Sequence, residues 1–262
     1  MSLWPKGRRI GFVPTMGFLH AGHLALVQRA KKENDAVVVS VFVNPTQFGP
    51  SEDFKAYPRN LKRDLAFLKK AGVDAVFVPK VTDIYPKGVR STLKAGAVAK
   101  PLEGVFRPGH FDGVATVVKR LFDIVSPAKA YFGQKDCQQV LVVQDLVRRL
   151  KLPVKIVACP TVREMDGLAM SSRNTYLSPQ ERAIAPVLHQ TLRQARRELK
   201  KGTNPREVEK IATTVLTLAG FSVQYVAVAD AKTLKPASAK TRRTLILAAA
   251  YLGKTRLIDN VV

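Results

Sequence analysis

At 262 residues the chain has room for one large domain or a main domain with a smaller companion, and a 46% hydrophobic content supports a sizeable core. No apolar run is long enough to span a bilayer, the N-terminus lacks the apolar stretch of a signal peptide, and Cys137 and Cys159 form neither a disulfide framework nor a metal-ligand spacing, so a reduced, cytoplasmic protein is expected. Lys and Arg total 43 against 20 acids, a net charge of +23 that attracts anions, yet no arginine-rich tract or series of stacking aromatics marks a specific nucleic-acid surface.

The first apolar run, residues 9–13, reads as a strand. It ends in Pro14-Thr15-Met16-Gly17-Phe18-Leu19-His20-Ala21-Gly22-His23 and leads into a helix from Leu24. A strand that turns through glycine into a helix presents free backbone N–H groups and the positive end of the helix dipole. His20 and His23 fall on one face of that helix entrance, and Gly22 leaves room for a close approach. Such a device suits a nucleotide triphosphate, and this H-x-G-H pattern resembles that of the nucleotidyl-transferase superfamily.

Residues 36–43 are β-branched and continuously apolar, as in a strand buried on both faces. The next segment, Asn44-Pro45-Thr46-Gln47-Phe48, stops that strand and offers two amides that both donate and accept. A helix follows over 60–71, with Leu61, Leu65 and Leu68 at helical spacing, then a strand over 75–78. Residues 103–113 are glycine-rich and read as a mobile stretch able to close over a site. A helix over 111–126, a strand over 129–132, a helix over 135–150 and a strand over 155–158 complete the alternation. Repeated β-α units imply a parallel, doubly wound sheet with ligands at the carboxyl ends of its strands.

Past Tyr176 the character changes. One helix is expected over 179–200, a second over 205–219, and strands over 221–229 and 244–250. The fold class is therefore α/β, a doubly wound parallel sheet over 1–176 with a smaller C-terminal α+β domain over 177–262.

Further motifs fall where strands end. Phe132-Gly133-Gln134-Lys135-Asp136-Cys137-Gln138-Gln139 joins a strand to a helix, with Lys135 placed to neutralise a phosphate. Met170-Ser171-Ser172-Arg173-Asn174 puts two hydroxyls and a guanidinium in one loop, a set able to wrap phosphates. Taken in this order, with Arg256-Leu257-Ile258-Asp259-Asn260 near the C-terminus, these motifs resemble the pantoate–β-alanine ligase family over nearly the whole chain.

The resemblance implies a homodimer whose larger domain is Rossmann-like and whose C-terminal domain acts as a lid. It implies that ATP, with Mg²⁺, and pantoate form a pantoyl adenylate that β-alanine then attacks. Met16, Gly17, Phe18, Leu19, His20, Ala21, Gly22 and His23 would line the ATP site, together with Gly133, Gln134, Lys135, Asp136 and Val162. Met170, Ser171, Ser172 and Arg173 would clamp the triphosphate. Among these, His20, His23, Lys135, Ser171 and Arg173 are the expected catalytic set, and Gln47 and Gln139 would hold pantoate and β-alanine. Asp64 is the one carboxylate on its helix where some relatives carry an acidic cluster, so no protein-held metal site is assigned. Ahead of the first strand stand Trp4, Pro5 and a few neighbours, where relatives usually carry a further helical segment. Two other readings stay open from the residues alone: a different H-x-G-H transferase, distinguished by pantoate-independent activity, and a basic RNA-binding protein on an inactive scaffold.

Overall fold

The computed structural model of the chain describes residues 7–50, 52–238 and 240–262; Trp4 and Pro5 lie outside them. The first part runs β1 (Ile10–Thr15), α1 (Ala21–Glu33), β2 (Ala36–Val41), α2 (Leu61–Lys70), β3 (Ala75–Phe77), α3 (Val81–Ile84), α4 (Glu103–Phe106), α5 (His110–Val125), β4 (Lys129–Gly133), α6 (Cys137–Arg149) and β5 (Lys155–Cys159). The five strands pair in parallel in the order β3-β2-β1-β4-β5. Parallel pairing requires crossovers, and the crossover helices cover both faces of the sheet. Val13, Val37, Val39 and Tyr131 pack with Leu26, Val27 and Leu68 of α1 and α2. Phe12, Val38, Ala130 and Phe132 pack with Val114, Val118, Leu121 and Val143 of α5 and α6.

After β1 the chain winds outward in one direction to β2 and β3, then returns to place β4 and β5 on the other side. The reversal lies between β1 and β4, and a crevice opens where their carboxyl ends diverge. Both strand-to-helix motifs singled out in the sequence, at 16–23 and 133–139, leave the sheet at that point.

The second part carries α7 (Pro179–Ile184), α8 (Val187–Lys200), α9 (Pro205–Leu218), β6 (Ser222–Asp230), β7 (Thr244–Leu252) and β8 (Thr255–Val261). The single helix expected over 179–200 is two. Pro186 has no N–H to continue the ladder, and its ring clashes with the preceding turn. The three strands form an antiparallel sheet in the order β6-β7-β8. One face packs on Leu188, Leu192, Val208 and Leu216 of α8 and α9. The other presents Leu245 and Leu247 toward Leu102, Cys137 and Leu141 of the first part. No helix among the described residues is long and apolar enough to cross a membrane.

Residues 103–113, expected to be mobile, are instead α4 and the start of α5. Two of their three glycines serve close packing, and the third, Gly109, takes a left-handed backbone (φ +80°). A Cβ on Gly104 would run into the Ala99 carbonyl oxygen, and one on Gly113 into that of Thr46. Glu103 is 6% exposed and accepts from Arg256 Nη1 (2.8 Å) and Nη2 (2.7 Å) and from the Tyr225 hydroxyl (2.8 Å). This cluster ties α4 to the antiparallel sheet. Removing one member of a buried ion pair leaves the other charge desolvated and alone. Arg256→Ala is therefore expected to destabilise the chain by about 3–5 kcal/mol in urea unfolding; a loss below about 1 kcal/mol would contradict the role of this cluster.

Candidate active site

The first wall of the site is the turn between β1 and α1. Gly17 (φ +83°) and Phe18 (φ +49°) both have left-handed backbones there, so the turn needs external support. It comes from Asp64, one turn into α2 and 1% exposed. Its Oδ2 accepts from Phe18 N (2.7 Å) and its Oδ1 from Leu19 N (2.8 Å). Arg63 lies over the Phe18 and Phe67 rings at 4.8 and 4.7 Å. The carboxylate left over from metal binding in the sequence thus holds the nucleotide-type loop in place.

His20 caps α1: its Nδ1 accepts from Gly22 N (3.2 Å), while His23 Nδ1 accepts from His20 N (3.3 Å). With both Nδ1 atoms accepting, each neutral ring carries its proton on Nε2. The rings lie 4.1 Å apart. Burial, then the cations Lys135 and Arg63, pushes His20 down to about 4. Burial, then His20 and Lys135, pushes His23 down to about 3. Both are uncharged donors at neutral pH. The space beside Gly22, expected to admit a ligand, is filled by the His20 imidazole, which a Cβ there would meet at 2.9 Å.

The second wall is the turn from β2. Asn44 Oδ1 takes the Tyr85 hydroxyl (2.5 Å) and Thr46 Oγ1 (3.1 Å), and its Nδ2 donates to Gln47 Oε1 (3.1 Å). Asn44 is thereby fully used as a scaffold. Gln47 Nε2 faces only the soft Met16 sulfur, 2.9 Å away, and remains able to donate to a ligand. Below it, His110 Nδ1 donates to the Gln47 carbonyl (2.7 Å) and its Nε2 accepts from Arg107 (3.2 Å). Burial, then Arg107, pushes His110 down to about 4.

The third wall comes from β4 and the loop beyond β5. Lys135 sits in a 3-10 turn (Gln134–Asp136) between β4 and α6. Arg173, expected from sequence to clamp the triphosphate, is paired with a carboxylate. Its Nε and Nη2 bind the Asp53 carboxylate at 2.9 and 2.7 Å, and its guanidinium lies 5.5 Å from the Tyr57 ring. Ser171 Oγ accepts from Arg173 N (3.3 Å), and Ser172 Oγ donates to the Phe18 carbonyl (3.1 Å), tying this loop to the first wall.

Two spaces result. A cleft of about 790 Å³ lies between the two sheets, lined by Asp53, Lys135, Ser171, Arg173, Lys254 and Arg256 among others. An inner cavity of about 230 Å³ is lined by Met16, His20, Gly22, His23, Gln47, Gly133, Gln139, Val162, Met170 and Ser172, with Val114, Val117 and Leu121 as an apolar wall. Arg107, Lys135, Asp136, Ser171 and Arg173 line both. Five expected residues are not brought to these walls. Gly17 lies beneath the loop against Asp64, Phe18 under Arg63, and Leu19 in the core, while Ala21 and Gln134 point to solvent. Leu19 is there because an apolar side chain at a helix entrance is worth more inside the core than in the cleft. Asp64, Arg107 and His110 were not identified as site residues from sequence. His110, like His20, follows a glycine-containing turn into a helix, which is the signal that marks it.

No group of three or more His, Cys, Asp or Glu side chains among the described residues is placed to hold a metal ion. Of the carboxylates at the cavities, Asp53 is engaged by Arg173 and Glu52 by Arg107 (2.6 and 2.8 Å), while Asp136 stands apart, 3.7 Å from Lys135; Asp64, behind the first wall, is taken by backbone N–H groups. They do not form a vacant cation cage.

Residues 2–262 match the family model described as pantoate-beta-alanine ligase. A pantothenate synthetase of Herpetosiphon aurantiacus is 52% identical over 97% of this chain and 93% of its own length. A crystal structure of pantoate-beta-alanine (pantothenate synthetase) from Thermus thermophilus superposes with a TM-score of 0.94, at 49% identity over 99% of this chain and 94% of that one. The pantoate-beta-alanine ligase of Francisella tularensis, solved in complex with beta-gamma ATP and beta-alanine, superposes with a TM-score of 0.83 at 39% identity, covering 99% and 92%.

The three depressed imidazoles predict how stability depends on pH. Unfolded, each binds a proton below about pH 6.5; folded, His20 and His110 do so at about 4 and His23 at about 3. The unfolded chain therefore holds more protons through that window, and stability must fall as the pH drops from 7 toward 4. Urea unfolding at a series of pH values should show an uptake approaching three protons near pH 5.5; a free energy flat between pH 7 and 5 would contradict neutral rings.

Proposed function

The chain belongs to the pantoate–β-alanine ligase family, and on that premise we propose which of its residues carry each part of the reaction. The reaction is the ATP-dependent condensation of pantoate with β-alanine, through a pantoyl adenylate, to give pantothenate, AMP and pyrophosphate. An unactivated carboxylate does not accept an amine. A pantoate carboxylate oxygen first attacks the α-phosphorus, the bond to the β-phosphate oxygen breaks, and pyrophosphate leaves. The β-alanine amine then attacks the acyl carbon, loses a proton, and expels AMP.

One observation carries the assignment of roles: Lys135 stands where the inner cavity meets the larger cleft, and the two imidazoles line that same inner cavity from the neighbouring turn. ATP would run along the inner-cavity wall formed by His20, His23, Gly133, Val162 and Met170 and out past Lys135 into the larger cleft, with pantoate deeper against Gln47 and Gln139, which puts the α-phosphate beside Lys135. The valine and leucine wall suits the dimethyl carbon of pantoate, and the Gln47 and Gln139 amides suit its hydroxyls and carboxylate. The Nε2–H groups of His20 and His23 would donate to phosphate oxygens as charge builds on them. Positioning and fixed donors supply the catalysis, with no protein nucleophile needed. For Arg173 to reach the phosphates it must exchange Asp53 for them, and a triphosphate is the stronger anionic partner.

We assign residues 1–176 to a nucleotide- and pantoate-binding domain and 177–262 to a smaller domain that closes over it. Magnesium enters as the counter-ion of ATP, in keeping with an ion that prefers substrate phosphates and water to a protein cage. A homodimer in the cytoplasm is proposed on family grounds.

ATP–pyrophosphate exchange with pantoate present and β-alanine omitted tests the assignment. Exchange should require pantoate, and His23→Ala or Lys135→Ala should lower it on the order of 10²–10³-fold with folding intact. Near-normal exchange in both variants would remove His23 and Lys135 from the chemistry. Gln47→Ala should chiefly raise the KM for pantoate, and an unchanged KM would remove Gln47 from the pantoate site.

A further inference from the structure

The segment 256–260 is part of the family resemblance, yet none of its residues has a place in the chemistry above. Its geometry gives it one. Along β8 side chains alternate between faces. Leu257 and Asp259 turn toward α8, and Asp259 takes Arg163 Nη1 (2.7 Å) and Nη2 (2.9 Å) from the loop after β5. Arg256 and Asn260 turn toward the parallel sheet. Arg256 grips Glu103, and the 7%-exposed Asn260 reaches the turn that carries Lys135. Its Nδ2 donates to the carbonyl oxygens of both Gln134 and Lys135, at 2.9 Å each.

We propose that Asn260 is a positioning residue for Lys135: it fixes the backbone of the β4–α6 turn from the opposite sheet and so sets where the Lys135 ammonium stands between the two cavities. The chemistry of the side chain supports this. A primary amide has two N–H groups, one for each carbonyl, whereas a carboxylate has none and a hydroxyl has one. The anchor is itself anchored, because the neighbouring Asp259 is locked to Arg163 and the Asn260 N–H is held by Asp259 Oδ1 (2.7 Å). Lys135 has no comparable restraint of its own: its ammonium lies 3.7 Å from Asp136 in a weak contact. With no strong partner to draw the side chain elsewhere, the reach of the ammonium is set by where the turn starts its stem.

This inference rests on the role of Lys135 in the reaction, and a double-mutant cycle separates the two. Pantoate-dependent ATP–pyrophosphate exchange is measured in the full chain for wild type, Asn260→Ala, Lys135→Ala and the double variant, with Asn260→Asp as a second probe that keeps the shape and loses both donors. With Lys135 present, Asn260→Ala and Asn260→Asp should lower exchange about 10- to 100-fold, the scale set by a small misplacement of a reacting group. In the Lys135→Ala background Asn260→Ala should cost less than about 3-fold, because the residue acts through a side chain already gone. Equal losses in both backgrounds, a wild-type rate in Asn260→Ala, or failure of both Asn260 variants to fold would overturn the positioning role. A wild-type rate in Lys135→Ala alone would instead overturn the reading of the site.

Discussion

The arrangement depends first on a buried carboxylate. Asp64 sits inside the protein with both oxygens taken by the N–H groups of Phe18 and Leu19. A carboxylate buried this deeply costs several kcal/mol unless its lone pairs are met, and charge-assisted bonds to backbone N–H groups meet them. In return it holds a turn whose left-handed residues would otherwise be free to relax. The position of His20 as the cap of α1, the close tilted pairing of the two imidazoles and the depth of the inner cavity all follow from where that turn is fixed.

Topology does the second part of the work. Because the strand order reverses between β1 and β4, two turns that are far apart in sequence leave the sheet side by side, one with the histidines and one with Lys135. The antiparallel sheet then closes the third side through β8, which holds α4, the loop after β5 and the β4–α6 turn by Arg256, Asp259 and Asn260 respectively. The smaller unit is thus part of the frame of the site.

The sequence made the parallel sheet legible because strands buried on both faces are short continuous apolar runs, and the helices between them carry clear 3.6-residue periodicity. Its local motifs showed which turns would carry chemistry. Other features were hidden for physical reasons. β8 does not read as a strand because it lacks a period-two pattern, with Leu257 and Ile258 adjacent and Asp259 and Asn260 adjacent, although Gly253-Lys254 is a two-residue hairpin connection between it and β7. Pro186 inside an apolar helical pattern marked a break that periodicity overrode. Gly104 and Gly113 suggested mobility, while their use is to let backbones touch. Asp64 stood out only as a lone carboxylate, and its structural role was hidden because its partners are main-chain groups, which carry no residue signature. The pairing of Arg173 with Asp53 was hidden because the two lie 120 residues apart.

The most direct test of Asp64 as the support of the site is amide hydrogen exchange at Phe18 and Leu19 in the ligand-free protein. If Asp64 fixes the turn, both amides exchange at rates close to those of the β1 core and lose that protection in Asp64→Ala while the β1 amides keep theirs. Exchange at both amides as fast as in an open loop would mean that the nucleotide turn is ordered by its ligand and not by the frame.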